Sequence, residues 1–170
     1  MKSRLAVYAL AISAVGLIQI VSREGYTDRA VIPTQGDVPT VGFGSTRHVD
    51  GAPVQMGDQV DPVRALITAG AHIGAEESHF RASLPGVALT QGEYDVYIDF
   101  VYNFGSGNWA NSSMRRHLLA GRYREACDAL LLWRRQGGRD CSLPANWGPS
   151  GCKGVWIRQQ ERHAQCLAEQ

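Results

Sequence analysis

The chain has no strong excess of either charge: 17 Lys and Arg stand against 16 Asp and Glu, a formal net charge of +1. Binding a polyanion through counterion release needs many cations focused on one face, so nucleic acid is not an expected partner. Lysine is nearly absent, with Lys2 and Lys153 the only examples. The arginine pairs Arg115-Arg116 and Arg134-Arg135 fall in helical contexts and read as solvated faces. No close C-x2-C pair occurs, which disfavours a zinc site, and neither a metal nor a cofactor is expected. No cysteine precedes Cys127, so any covalent constraint acts on the last third of the chain. Cys127, Cys141, Cys152 and Cys166 permit three pairings. The nested set, Cys127 with Cys166 and Cys141 with Cys152, is favoured in an oxidising compartment such as the periplasm, with free buried thiols as the alternative. Repeats and low-complexity tracts are also missing. With 170 residues at 44% hydrophobic and 19% charged, the chain is expected to form one globular domain with a real core.

Charge is absent again from Leu5 to Val21, a run preceded by Lys2 and Arg4. It is just long enough to cross a bilayer, yet it is rich in Ala, Ser and Gly and contains Gln19, so its insertion is marginal. Under the positive-inside rule the basic start stays cytoplasmic and everything from Ser22 onward is exported. Three readings compete: a cleaved signal peptide, a permanent or releasable anchor, and the buried first helix of a soluble domain. No clear A-x-A cleavage site separates the run from Ser22-Arg23-Glu24, which favours an uncleaved exported segment.

What is present further along reads as a short β segment followed by helices. The stretch from Ala30 to Thr46 is rich in Gly, Pro, Thr and Val, with Gly36-Asp37 as a turn signal, and is expected to form a small β-hairpin. Asp61-Pro62 is a helix start, and Thr90-Gln91-Gly92-Glu93 has the capping-box pattern ahead of a broadly apolar helix from Tyr94 to Tyr102. Asn111 or Ser112 can cap a helix that runs through Leu119-Ala120. The spacing predicts another from Tyr123 to Arg135, stopped by Gly137-Gly138, and a last one from about Val155 to Ala168. The predicted class is α+β, mainly helical, with a small β-hairpin subdomain on a helical body.

Glu24 stands at the end of the first expected helix, Asp37 in the hairpin turn and Thr40 on its return strand. Glycoside hydrolysis needs one carboxylic acid to protonate the leaving oxygen and a second group to stabilise positive charge or orient water on the opposite face. Glu24 and Asp37 meet that requirement. The string Ser22-Arg23-Glu24-Gly25-Tyr26, followed by Gly36-Asp37-Val38-Pro39-Thr40-Val41-Gly42-Phe43-Gly44, resembles the signature of phage lysozymes of glycoside hydrolase family 24. In that family a helix delivers the catalytic Glu in an E-G pair, and a hairpin delivers a carboxylate or Cys and then Thr in a T-x-G-x-G string. Phe100 to Asn108, Leu118 to Gly138 and Arg158 to Cys166 resemble the family's later segments.

The resemblance implies a lysozyme-like fold and cleavage of the peptidoglycan glycan strand, with Glu24 as acid and Asp37 and Thr40 positioning water. Arg158 matches a family Arg that pairs with the catalytic Glu, and Tyr102 and Asn103 are expected to contact substrate. The family's second carboxylate position falls near Pro33-Thr34, where no acid stands, so Asp37 is expected to take that role from a reshaped turn, the alternative being that Thr34 instead helps to hold a water. Ser45 replaces a His that many relatives carry after the G-x-G string, which implies the loss of a structural hydrogen bond there. A lytic transglycosylase and a non-catalytic wall-binding protein are the rival readings. The union of a weak membrane segment with the Glu-bearing helix also resembles signal-anchor-release endolysins. That implies residues 1–21 as a releasable segment doubling as first helix and 22–170 as the catalytic domain. The protein would be a monomer held inactive at the host inner membrane and active in the periplasm.

Overall fold

Local capping decides where the helices start, and the computed structural model, which describes residues 2–34 and 36–170, follows those signals closely. In chain order the elements are β1 (Leu5–Ala6), α1 (Ala14–Glu24), β2 (Thr27–Val31), β3 (Thr40–Gly42), α2 (Pro62–Ala82), β4 (Ala88–Leu89) and α3 (Gln91–Phe104). There follow α4 (Ser106–Ala110), α5 (Ser113–Leu119), α6 (Tyr123–Asp128), β5 (Arg135–Gln136), β6 (Arg139–Asp140) and α7 (Lys153–Leu167). The strands pair antiparallel as β1 with β4, β2 with β3 and β5 with β6. The class is α+β and mainly helical, as the sequence predicts. The chain divides into two compact units, one of Ala11–His79 and one of the residues up to Leu10 together with Phe80–Gln170.

In the first unit the Ser13 hydroxyl accepts the Gly16 N–H at 3.0 Å and starts α1, while the buried Glu77 carboxylate of α2 accepts the Ile12 N–H at 2.6 Å. The β2–β3 hairpin pairs Thr27 with Gly42 and Val31 with Thr40, with a register shift between them. Its inner side joins Ala30 and Val41 to Val54, with Val60 packed against them. Asp61 caps α2 as expected, its Oδ1 accepting the N–H groups of Val63 and Arg64, each at 2.9 Å.

The second unit is organised by α3. Thr90 and Glu93 form a complete capping box, and Tyr94, Tyr97, Ile98, Phe100 and Val101 are fully buried. Phe80 meets Tyr94 edge-on at 5.3 Å, and Trp109 sits 4.8 Å from Phe80 and 5.4 Å from Tyr97, donating its indole N–H to Ser83 at 2.8 Å. From α7 the fully buried Arg162 donates to the Asp99 carboxylate at 2.7 Å and to the Asp99 carbonyl at 3.0 Å. Disulfides join Cys127 to Cys166, with Cα atoms 5.5 Å apart, and Cys141 to Cys152, with Cα atoms 5.2 Å apart.

Two sequence expectations are corrected. The apolar run from Leu5 to Val21 is not one helix: it is broken into β1, a 3-10 turn over Val7–Ala9 and an extended link before Ser13 starts α1. The cause is pairing with distant chain, Leu5 opposite Leu89 and Ala6 opposite Ala88. No helix among the described residues is long and apolar enough to cross a membrane. The helix expected over Tyr123–Arg135 ends at Asp128, tightens to 3-10 geometry over Ala129–Leu132, and gives way to the β5–β6 hairpin. Gly137 and Gly138 both adopt positive φ, 54° and 77°, and so serve as a two-residue hairpin turn and not as a helix stop. Arg135 is therefore a strand residue, and Arg134 pairs with Asp140 at 3.2 Å.

Breaking the Asp99–Arg162 pair from one side should be costly, because it leaves a buried guanidinium without its carboxylate. Asp99→Ala should lower unfolding free energy by about 3–5 kcal/mol, and Asp99→Leu combined with Arg162→Met by clearly less, in urea titrations. Glu169 gives a pH prediction. Burial raises its carboxyl, but hydrogen bonds from Lys2 and Thr90 outweigh that and hold it below its ordinary value of 4.5. A carboxyl lowered on folding stabilises fully above its ordinary value and less as pH falls through the folded one. Glu169→Gln should therefore flatten the loss of melting temperature below about pH 4.5 relative to wild type.

Candidate active site

The Ala11–His79 unit supplies a helix end and a hairpin. Glu24 is the last residue of α1 and is exposed; Gly25, at φ 73°, ends the helix and turns the chain into β2. The Tyr26 hydroxyl donates to the Val60 carbonyl at 2.7 Å, and its ring lies 5.5 Å from that of Phe43, so the chain leaving Glu24 is fastened to the hairpin's far side. Thr40 opens β3 opposite Val31, its hydroxyl donating to the Val31 carbonyl at 3.4 Å. Between the strands, the Asp37 N–H donates to the Thr34 carbonyl at 2.9 Å across a turn that uses Gly36 at φ 94°. Thr34 and Asp37 thus share one turn, both exposed, directly ahead of Thr40.

The T-x-G-x-G string has a steric explanation. Gly42 lies at φ 67°, and a Cβ there would come within 2.8 Å of the Ala65 Cβ on α2. Only glycine allows both this backbone conformation and this approach. At Ser45, where the sequence implies a lost side-chain hydrogen bond, Val41 and Ser45 exchange reciprocal backbone bonds of 3.0 and 3.1 Å, and Ser45 is buried.

The second unit supplies a cleft of about 420 Å³. The end of α3 contributes Asn103 and Phe104, strand β5 contributes Arg135 and Gln136, the disulfide loop contributes Gly151 and Cys152, and α7 contributes Gly154, Val155 and Arg158. Two expected site residues, Asn103 and Arg158, line this cleft; Tyr102 is half-buried and is not among its lining residues. The loop closed by the Cys141–Cys152 disulfide is tied down locally. The Trp147 indole donates to the Cys141 carbonyl at 2.8 Å, the Asn146 amide to the Asp140 carbonyl at 2.7 Å, and Lys153 lies 4.7 Å over the Trp147 ring. Bonds from the Ser142 hydroxyl and N–H keep the Asp140 carboxyl below its ordinary value. Sequence reasoning missed Arg135 and Gln136. The signal was there: Gly137-Gly138 flanked by Arg-Gln and Arg-Asp is a hairpin pattern.

A helix-borne Glu, a hairpin-borne Thr and a polar cleft on a mainly helical body define a lysozyme-like protein. The Phage lysozyme family model matches residues 21–144, and the chain belongs to that family, an enzyme of the lysozyme type and a glycoside hydrolase. It is 31% identical over 126 residues to an endolysin of Salmonella phage P22, covering 74% of this chain and 85% of that protein. It is 33% identical over 131 residues to a SAR-endolysin of Escherichia phage 933W, covering 74% of this chain and 68% of the relative. Among solved structures, a point mutant of P22 lysozyme superposes with a TM-score of 0.76 at 26% identity, covering 93% of this chain and 99% of that one. The endolysin of Escherichia coli O157:H7 phage FAHEc1 has the same fold, with a TM-score of 0.78 at 22% identity over 98% of this chain and 96% of that one.

Gly42→Ala should combine left-handed strain with a clash against Ala65, lowering stability by about 2–3 kcal/mol and displacing Thr40. Adding Ala65→Gly should recover the clash component but not the strain, as read by thermal unfolding and lytic rate.

Proposed function

We propose that the chain is a phage endolysin, a muramidase that hydrolyses the β-1,4 bond between N-acetylmuramic acid and N-acetylglucosamine in peptidoglycan. The observation that carries the reading is the family match across Glu24 and the Thr40-to-Gly44 string, together with their positions at the end of α1 and the start of β3 in one compact unit. Glu24 acts as general acid and protonates the leaving glycosidic oxygen. Water attacks from the opposite face in a single displacement that inverts the anomeric centre, oriented by Asp37 and Thr40 with Thr34 beside them. Arg158 serves as the supporting cation for Glu24, the role implied by the family resemblance, and Tyr102 and Asn103 contact the glycan. The enzyme works as a monomer without a cofactor.

The run Leu5–Val21 is, on the same reading, a signal-anchor-release segment. SAR-endolysin relatives support it, as do the absence of charge in the run and its weak hydrophobicity. A segment that lies in lipid as a helix cannot at the same time form β1, the 3-10 turn and α1. The tethered enzyme at the inner membrane is thus inactive, and loss of membrane potential frees it into the periplasm, where α1 forms beneath Glu24. Arg23 and Glu24 then stand at the lipid edge of the tethered state, where charge is tolerated. The lack of an acid at Pro33-Thr34 favours a second reading, a lytic transglycosylase, which needs no second carboxylate; its products carry cyclic anhydro ends in place of reducing ends.

Turbidity loss of outer-membrane-permeabilised Gram-negative cells tests the catalytic assignment. Glu24→Gln should lose about 10²–10⁴-fold in rate, Asp37→Asn about tenfold or more, and Thr34→Ala less than either. Equal rates for wild type and Glu24→Gln would refute the central assignment. For the anchor, Ala9, Ala11 and Ala14 are exposed in the folded enzyme, so changing all three to Leu leaves the folded form tolerable while favouring lipid. That variant should stay in the membrane fraction after depolarisation and fail to lyse cells.

A further inference from the structure

Lys2 and Arg4 are the basic residues that orient the apolar run in a membrane, yet in the folded protein they are bound to its body. The Arg4 guanidinium donates from Nε to one Glu93 oxygen at 3.0 Å and from Nη2 to the other at 2.7 Å, and lies 3.9 Å over the Tyr123 ring. The Glu93 side chain is 1% exposed. The same carboxylate accepts the Thr90 N–H at 2.8 Å, closing the capping box of α3, and the Gln170 amide at 2.8 Å. Lys2 pairs with Glu169, which also accepts the Thr90 hydroxyl at 2.7 Å. Behind these contacts β1 pairs with β4, the Val7 N–H donates to the Val87 carbonyl at 3.0 Å, and Arg81 donates to the Leu10 carbonyl at 3.1 Å. All of these groups belong to one compact unit.

We propose that Glu93 is a built receptor for the basic leader: Arg4 enters it only after crossing the membrane, and the bidentate pair latches the released enzyme in its folded form. The inference rests on the anchoring part of the reading above. The two positions of Arg4 exclude each other. A guanidinium on the cytoplasmic side of a tethered segment cannot lie against a carboxylate buried in the exported body. A bidentate bond to a buried carboxylate, with the cation itself part-buried over a ring, favours the released state over re-entry into lipid. It also explains why the cation is Arg, since Lys cannot match both carboxylate oxygens in one plane. Seating Arg4 leads the chain along β4 to Leu10, and Ile12 and Ser13 then carry the contacts that start α1, the helix ending in Glu24.

The test expresses the full chain in a Gram-negative host and measures its share in the membrane and soluble periplasmic fractions before and after a protonophore collapses the potential. Glu93→Gln leaves the leader unchanged and keeps a side chain that suits the capping box, so it removes the latch charge without altering membrane orientation. It should tether like wild type, but its soluble-to-membrane ratio at the plateau after depolarisation should be about tenfold lower, while the released molecules lyse permeabilised cells at the wild-type rate per molecule. Arg4→Gln, which leaves α3 intact, should lower that ratio to the same extent. Arg4→Lys should fall between that variant and wild type. The double variant Arg4→Gln with Glu93→Gln should have a ratio no lower than either single change. A wild-type plateau ratio for Glu93→Gln and Arg4→Gln would overturn the latch while leaving the anchor reading intact. Wild type found soluble before depolarisation would overturn the anchor reading itself and the latch with it.

Discussion

The Glu93 carboxylate is where the second unit is held together. It closes the N-terminal turn of α3, receives the Arg4 guanidinium and accepts the Gln170 amide, so a single buried group joins the most buried helix to both ends of the chain. A carboxylate this deep is tolerated only because each of its lone-pair directions meets a donor. Around it α3 buries aromatic side chains on nearly all sides, which is why the remaining short helices and hairpins of the unit need little intrinsic stability of their own. The Cys127–Cys166 bridge and the Asp99–Arg162 pair fasten α7 to that same centre.

A second constraint acts on the residues ahead of Glu24. On the anchor reading proposed above, their composition has to serve lipid as well as the folded enzyme. Val7, Leu10, Ile20 and Val21 are buried in the folded enzyme, while Tyr8, Val15 and Ile18 remain exposed. Three large apolar side chains in water are a poor choice for a segment selected only for the folded enzyme, and a reasonable one if, as proposed, it also spends time in a bilayer.

At the site, the displaced carboxylate finds a local explanation. The family's acid position is expected near Pro33-Thr34; the Thr34 carbonyl holds the Asp37 N–H, so the turn brings a hydroxyl and a carboxylate onto the same few residues ahead of Thr40. The cleft of the other unit lies between the ends of α3 and α7 and two local elements, a hairpin that relies on Gly137 and Gly138 and a loop stapled by the Cys141–Cys152 bridge.

Helix starts at Asp61, Thr90 and Ser112, the Glu24 helix end and the T-x-G-x-G hairpin were legible in the sequence, because capping and turn geometry are settled by residues a few positions apart. Asn103 and Arg158, expected from the family resemblance to belong to the site, line the cleft of the second unit. The break in the apolar run was not legible, since Leu5 and Ala6 become a strand only by meeting Leu89 and Ala88, far along the chain. The hairpin that carries Arg135 was legible in Gly137-Gly138, but its place in the cleft was not, and neither was Arg4 on Glu93. A charge in the sequence looks solvated until the tertiary structure brings its counter-charge, and desolvation then decides how strongly the two are held.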